Sequence, residues 1–336
     1  MTADAAYWRA CAGESMLYAG DFQNAKQLLN GVTRRANAKP AKETATLLDA
    51  FHQHRSRQIG RSQVANRILI ELHNGECPLN RSPALQEAVE GALDEAVPER
   101  MVLSLRETLG IIGANEWYKK GVYIDALQAN IHASYGVFSP VRGEYLRLVN
   151  EATLHDLQVA WDIGTGTGVI AAILATRGVR QVVATDTSVR ALQCAAENLQ
   201  RLKPGSSVRL EETSFFPDGT ADLIVCNPPW LPAKASSSIE RAIYDPKSKM
   251  LRGFLNGVNA RLNPSGEAWL IMSNLAELIG LRGATDLADW IDQANLCVVE
   301  KLDTLPQHPK AKDESDPLFE ARSKEVTSLY RLRSKG

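Results

Sequence analysis

Cysteine is scarce in this 336-residue chain, and its placement does not suit crosslinking. Cys11, Cys77, Cys194, Cys226 and Cys297 are odd in number, widely scattered, and contain no Cys-x-x-Cys pair. That pattern opposes a secreted disulfide scaffold and a cysteine-held zinc site, and it suits a reducing compartment. The six histidines show no ligand spacing either, so no metal is expected. Long apolar runs are also missing. The stretch Val169 to Ala175 falls far short of the ~20 residues that cross a bilayer. The N-terminus lacks a basic start followed by an apolar run, so neither a signal peptide nor a membrane span is expected, and the cytoplasm is the expected location. No sign of charge dominates, since 38 Lys and Arg stand against 39 Asp and Glu. That balance argues against wrapping nucleic acid by bulk charge, but leaves room for a local basic patch.

The length suggests two domains at ~100–200 residues each. Up to about residue 130 the pattern reads as helical. Ser82 and Pro83 stand as N-cap and first helical residue before Leu85, Ala88, Val89, Ala92 and Leu93, which share one helical face. Leu47, Leu48 and Phe51 offer a similar stripe. Charge in this part is uneven. Lys26, Arg34, Arg35, Lys39, Lys42, Arg55, Arg57, Arg61 and Arg67 face only Glu43 and Asp49, whereas residues 71–116 carry nine acids against three arginines. The two stretches either pair or form solvated faces, or the first is a basic surface for RNA or for a partner bound to RNA.

From about residue 157 strands alternate with helices, the pattern of a mostly parallel sheet with helices on both sides. Strands are expected near 157–163, 181–186, 207–211, 221–226 and 266–273. A helix is expected over Ser188 to Leu202 with Val189, Leu192, Ala196 and Leu199 on one face. Strand candidates 295–300 and 326–331 are joined by the polar segment 306–325, read as a loop, a lid or partly disordered chain.

Three motifs carry chemistry. Asp162-Ile-Gly164-Thr165-Gly166-Thr167-Gly168 follows an apolar strand and precedes a helix-like run. Its glycines allow a backbone turn to approach a ligand, and the helix that follows offers free N–H groups to anionic oxygens. Asp186 ends the next strand, about 20 residues on, where an acid meets ribose hydroxyls. Its glycine spacing, G-x-G-x-G, is not the G-x-G-x-x-G of dinucleotide sites. Asn227-Pro228-Pro229-Trp230 follows the strand ADLIVC and therefore lies at the carboxyl edge of the sheet, beside the expected ligand.

These residues resemble the class I S-adenosylmethionine-dependent methyltransferases, in the branch with an NPP-aromatic motif, from about residue 135 onward. The segment TSFFPDGTADLIVCNPPWLP is similar to protein-glutamine methyltransferases that modify release factors and a ribosomal protein, and FSPVRGEY at 138–145 resembles a segment that packs over the cofactor in these and in ribosomal RNA methyltransferases. The resemblance implies a Rossmann-like α/β sheet, parallel with a terminal antiparallel strand, over 131–336. An all-α domain over 1–130 is expected to precede it and to select the substrate. The resemblance also implies S-adenosyl-L-methionine as cofactor, held by Asp162, Gly164, Thr165, Gly166, Thr167, Gly168, Asp186 and Asn227, with Phe215 near its adenine.

The chemistry of the NPPW motif can also be argued from its atoms. A planar amide or aryl-amine nitrogen is a poor nucleophile because its lone pair is delocalised. Acceptors for its two N–H groups draw that lone pair out and stabilise the charge that develops. The side chain of Asn227 and the carbonyl of Pro228 are such acceptors. Pro228 and Pro229 stiffen the loop, and Trp230 offers a flat face for stacking. The expected activity is therefore N-methylation of a protein glutamine. The alternatives are an exocyclic amine of a base in RNA or DNA and, further off, a non-enzymatic nucleotide-binding module. The expected partners are a protein substrate or RNA, in the setting of translation, with no membrane.

Overall fold

The computed structural model describes all residues except 39–41, 156, 206, 237, 238, 308 and 336, so Lys39 of the basic stretch lies outside the described residues. Contacts divide the chain into Met1–Lys120 and Gly121–Gly336, ahead of the boundary expected at 130.

The first unit is mixed rather than all-helical. It runs α1 (Ala3–Cys11), β1 (Met16–Leu17), α2 (Phe22–Asn37), α3 (Leu47–Ala65), β2 (Ile68–His73), α4 (Gln86–Ala92), β3 (Arg100–Ser104) and α5 (Leu105–Lys120). Strand β2 is central, parallel to β1 and antiparallel to β3. Ile68, Ile70 and Leu72 are fully buried on one face, alternating with Leu69, Glu71 and His73. Leu69 fills the gap in that alternation, so the segment reads as a short apolar run, which periodicity cannot tell from a buried helix. Helix α4 starts later than Pro83. Its first N–H groups, those of Leu85 and Gln86, donate to the Glu76 carboxylate at 3.3 and 3.1 Å, so a residue nine positions upstream caps it in place of Ser82. In the acidic stretch, Glu71 pairs with Arg100 and Glu87 with Lys119 inside this unit. In the basic stretch, Arg34 stays exposed, Arg35 pairs with Asp4 at 3.4 Å, and Arg55 is buried.

The second unit begins with the hairpin β4 (Val122–Ile124) and β5 (Ala129–Ile131) and helix α6 (Glu144–Glu151). Then come β6 (Val159–Ile163), α7 (Val169–Thr176), β7 (Gln181–Asp186), α8 (Val189–Leu202), β8 (Ser207–Glu212), β9 (Ala221–Cys226), α9 (Lys249–Val258) and β10 (Leu262–Ser273). It closes with α10 (Leu275–Ile279), α11 (Asp286–Gln293), β11 (Leu296–Thr304), α12 (Phe319–Arg322) and β12 (Thr327–Ser334). The seven-stranded sheet has the order β11-β12-β10-β9-β6-β7-β8, parallel from β10 through β8, with β12 antiparallel to both β10 and β11. This is the Rossmann-like arrangement expected, terminal antiparallel strand included. Alternate residues of the strands feed two cores. One face gives Ala160, Leu223, Val225, Trp269 and Ile271 to α6 and α7. The other gives Trp161, Ile163, Ile224, Cys226, Leu270 and Met272 to α9 and α11.

Two expectations shift here. The buried face of α8 is Ala191, Cys194, Ala195 and Asn198, rotated from the stripe through Val189, Leu192, Ala196 and Leu199; Val189 is exposed. Small side chains face inward because the turn before α7 passes close to them. Segment 306–325 is not an open loop over its described residues. It contains α12, buries Leu318 and Ala321, and pairs Arg322 with Asp316 at 3.2 Å.

Candidate active site

Strand order reverses between β6 and β9, because β6 pairs on one side with the next strand in sequence and on the other with a later one. Open α/β sheets bind ligands in the crevice at the carboxyl ends of such a pair. Register makes this concrete. Ile163 lies opposite both Cys226 and Thr185, so the glycine turn, the NPPW loop and Asp186 leave the sheet side by side.

The turn from Gly164 to Gly168 is held from within. The N–H groups of Gly164 and Thr165 both donate to the Thr185 carbonyl, at 2.9 and 2.8 Å, and Gly168 N donates to Thr165 O at 3.0 Å. Asp162 sits beneath it, buried on the α7 face. One carboxylate oxygen accepts from Thr165 Oγ1 at 2.7 Å and from Ala171 N at 3.1 Å, which ties the turn to the first turn of α7. Burial raises its pKa to about 6, against the opposing pull of those two hydrogen bonds, with a smaller push from Asp186. All three glycines have positive φ. A Cβ on Gly168 would lie 3.2 Å from Ala195 Cα, so this glycine permits contact with α8. A Cβ on Gly166 would meet nothing within 4 Å, so that stretch of backbone opens away from the protein.

Asp186 closes the turn. Its carboxylate accepts from Gly166 N at 3.0 Å and from Ser188 N at 2.9 Å. Ser188 in turn caps α8, accepting from Ala191 N at 3.3 Å. An ionised carboxylate has about four lone-pair sites, so two bonds leave acceptor capacity for hydroxyl groups. Thr185 Oγ1 donates to the Phe215 carbonyl at 2.9 Å, which sets Phe215 next to this strand end. The Phe215 ring lies on Gly253 of α9, where a Cβ would come within 2.4 Å of it, and stacks on Phe216 with centroids 5.9 Å apart. Thr165 and Thr167 are buried, and the Thr167 carbonyl accepts from Asn198 Nδ2 at 3.0 Å.

Across the crevice, Asn227, Pro229 and Trp230 are half-buried and Pro228 is buried. Trp230 Nε1 donates to Asn227 Oδ1 at 3.0 Å. The loop beyond closes on itself through an isolated parallel bridge between Leu231 and Tyr244, and Asp245 caps α9 by accepting from Met250 N and Leu251 N. Cys226 is fully buried, and burial pushes its thiol well up, with Asp162 and Asp245 adding to the shift. It is a core residue rather than a nucleophile.

Reading the sequence missed three polar residues here. Tyr145 on α6 is 4% exposed, and burial raises its hydroxyl pKa, while contact with the Asn227 side chain works in the opposite direction. Asn198 joins the α8 face to the glycine turn and, through His132 O, to the chain after β5. Asp245 anchors the loop after the motif. The usable signal for Asn198 was an amide in line with the small residues Ala191 and Ala195. Tyr145 closes the FSPVRGEY segment already singled out in the sequence, and Asp245 precedes Pro246 only five residues before the helix N–H groups it accepts from. Arg142, at the start of the segment before α6, has its pKa lowered by burial, with Glu325, Arg322 and Glu144 as charged neighbours. Among the described residues, no group of three or more His, Cys, Asp or Glu is placed to hold a metal ion, and no helix is long and apolar enough to cross a membrane.

Residues 128–279 match the sequence profile of the family described as Methyltransferase small domain. The chain is 33% identical over 128 residues to a release factor glutamine methyltransferase of Rhodopirellula baltica, covering 33% of this chain and 43% of that protein. It is 30% identical over 171 residues to a protein of the same name from Cereibacter sphaeroides, with coverages of 44% and 61%. A tRNA1(Val) (adenine(37)-N6)-methyltransferase of Cytophaga hutchinsonii is 30% identical over 125 residues, covering 35% and 52%. The chain thus spans about half the length of the curated relatives it matches. The stretch that matches the profile contains the glycine turn, Asp186 and the NPPW loop, and it falls within the Rossmann-like sheet of the second unit.

Proposed function

We propose that the protein is an S-adenosylmethionine-dependent N-methyltransferase acting on the side-chain amide of a protein glutamine. The observation that carries this reading is the register that sets Gly164, Asp186 and Asn227 at one strand-order reversal. The turn suits the cofactor. Gly166 leaves open space where a side chain would stand, and Asp186 keeps acceptor sites for ribose hydroxyls. In this reading Gly164, Thr165, Gly166, Thr167 and Gly168 wall the methionine portion, Asp162 holds that wall in place, and the Phe215 ring borders the adenine. When bound, S-adenosylmethionine supplies a sulfonium methyl already activated for transfer.

The protein's part is positioning and electrostatics. Asn227 Oδ1 and the Pro228 carbonyl accept from the two N–H groups of the incoming nitrogen, drawing its lone pair out of conjugation. Pro228 and Pro229 donate no competing N–H and keep the loop stiff. Trp230 provides the face on which the planar group lies. The NPPW motif is thus the acceptor site. The similarity to release factor glutamine methyltransferases favours a protein acceptor from the translation machinery, and five free cysteines favour the cytoplasm. A second reading, methylation of an exocyclic adenine amine, is favoured by the tRNA-modifying relative, since the same acceptors serve both nitrogens. The first unit would select between them.

Tritiated S-adenosylmethionine incubated with cell lysate and the purified protein tests this directly. Label removed by protease and resistant to ribonuclease is expected. Label removed by ribonuclease alone selects the second reading, and no label in any polymer rejects both.

A further inference from the structure

Helix α9 carries two glycines, Gly253 and Gly257, at positions where alanine would form a helix better. Residues four apart share one helix face. Each glycine gives its space to one ring of the adjacent pair Phe215 and Phe216. A Cβ on Gly253 would overlap the leading carbon of the Phe215 ring and stand 3.0 and 3.1 Å from the two carbons beside it. A Cβ on Gly257 would come within 2.5 Å of Phe216 Cε2. The two rings differ in what surrounds them. Phe216 also packs on Trp161 and Phe254, with centroids 6.5 and 6.0 Å away. Phe215 has its tip on α9 and one face on Phe216, and the half-buried ring keeps accessible surface on its remaining side.

That surface borders the crevice. Thr185 Oγ1 donates to the Phe215 carbonyl and Thr213 N donates to the Asp186 carbonyl, at 2.9 and 3.2 Å, so the chain leading to the ring is tied to the strand end that presents Asp186. Three residues before Gly253, Met250 reaches the glycine turn, since a Cβ on Gly164 would lie 2.7 Å from Met250 Cε. The first turn of α9 therefore runs along the crevice from Gly164 to the Phe215 ring. A base carried by a ribose on Asp186 has that ring within reach.

We propose that Gly253 is a positioning residue for the adenine end of the cofactor. Its missing side chain lets the Phe215 ring enter α9 tip first, which turns the open side of the ring to the base. The pose of the cofactor is that of the proposed function, on which this inference rests. The helix has no room to make way for a methyl group, because Leu251, Phe254, Leu255 and Val258 are fully buried and Asp245 caps its first turn. The ring does yield, because the overlap is with the free end of a side chain and not with backbone. The packing of Phe216 blocks one direction of retreat, so the ring moves into the space of the base. Stacking on a base needs a flat face at contact distance, and a displaced ring loses it.

The test reads binding of S-adenosylhomocysteine by calorimetry, so neither methyl transfer nor the acceptor enters. Gly253→Ala is expected to fold, since only a ring tip stands in the way, and to bind about fivefold or more weakly than the parent. Phe215→Leu lacks the ring carbons that meet Gly253. It is expected to bind about threefold or more weakly, and adding Gly253→Ala to it is expected to change affinity by less than about twofold. Parent-like binding by Gly253→Ala overturns the inference. So does parent-like binding by Phe215→Leu, which would mean that the ring is no platform. A further loss in the double variant also overturns it, because the effect would then come from the helix and not through the ring, and this comparison decides even where Gly253→Ala alone does not fold. A parent protein that binds no S-adenosylhomocysteine rejects the proposed function itself, whereas a binding parent beside an unaffected Gly253→Ala rejects only the role of Gly253.

Discussion

The glycine turn and the NPPW loop leave adjacent strands, yet they are built on opposite terms. The turn is saturated by backbone and buried side-chain bonds, to Thr185, Asp162 and Asp186. The loop keeps its key acceptor on one bond to a half-buried neighbour. A surface that always receives the same cofactor gains from being finished before binding, because no ordering cost remains at that moment. A surface that must accept and release a nitrogen needs acceptor capacity left over, and an amide oxygen has two lone pairs. Damage to the turn should therefore appear as lost stability or lost cofactor affinity, and damage to the loop as lost turnover in a well-folded protein.

The largest effect expected from breaking this contrast is at Asn227. On the proposed function, Asn227→Ala removes an acceptor for the developing charge, and losing one such preorganised partner costs about 10²–10³ in kcat. Affinity for S-adenosylhomocysteine, measured by calorimetry, is expected to stay within a few-fold. Near-normal turnover would remove the loop from the chemistry altogether.

Asp162→Asn attacks the opposite side. The folded protein holds this carboxyl's pKa at about 6, against 3.8 as its ordinary value. Between those values the folded state keeps a proton that the unfolded chain has released, so the contribution of this one carboxyl to stability is greatest below pH ~4 and declines as pH rises through ~6. The shift corresponds to an upper bound of ~3 kcal/mol. The asparagine has no charge to bury, and its oxygen can still accept from Thr165 and Ala171. Denaturant unfolding should show the pH 4–6 decline flattened and the variant more stable than the parent at pH 8. Parallel curves for the two proteins would mean that burial of the charge is not what Asp162 costs.

How much of this was legible before the structure depends on where each partner lies in the chain. The glycines, Asp186 and the NPPW loop were readable because each sits at a strand end, and strand ends follow from local periodicity. The sheet followed for the same reason, down to the pair near 295 and 326. The polar contact of Asn198 reaches a partner 31 residues away, and a side chain's contact across such a distance has no local pattern, whereas Asp245 caps a helix only five residues on. The three-stranded sheet of the first unit was hidden by one residue, Leu69, which masks the alternation of Ile68, Ile70 and Leu72. Helix α4 was placed too early because Ser82 and Pro83 fit a start in isolation, whereas the cap that forms comes from Glu76.

Within the turn, the glycines separate packing from binding. Gly168→Ala places a methyl 3.2 Å from Ala195 Cα at a φ of +78°, and both backbones must yield. Held backbone strain of this kind costs about 1–3 kcal/mol, so a lower Tm is expected. Gly166→Ala also has positive φ, but its methyl enters open space. Its smaller loss of stability should accompany at least tenfold weaker binding of S-adenosylhomocysteine, because the methyl stands where the cofactor would. Equal cofactor affinity in the two variants would show that the open side of Gly166 does not face the ligand.

The smallest effect sharpens the contrast most finely, at Ser188. Its side chain accepts from Ala191 N at 3.3 Å, a long bond, whereas its backbone N–H donates to Asp186 at 2.9 Å. Ser188→Ala removes the first and keeps the second, because alanine retains the N–H. Loss of such an N-cap typically costs ~1 kcal/mol, and the length of this bond puts the expected loss at or below that value, read as a modest fall in Tm. Cofactor affinity should not change, since the Asp186 carboxylate keeps both of its donors and its orientation. A Ser188→Ala protein that binds S-adenosylhomocysteine several-fold more weakly would mean that the start of α8, and not the bond network of the turn alone, sets the position of Asp186. The turn would then be less complete in itself than its hydrogen bonds indicate.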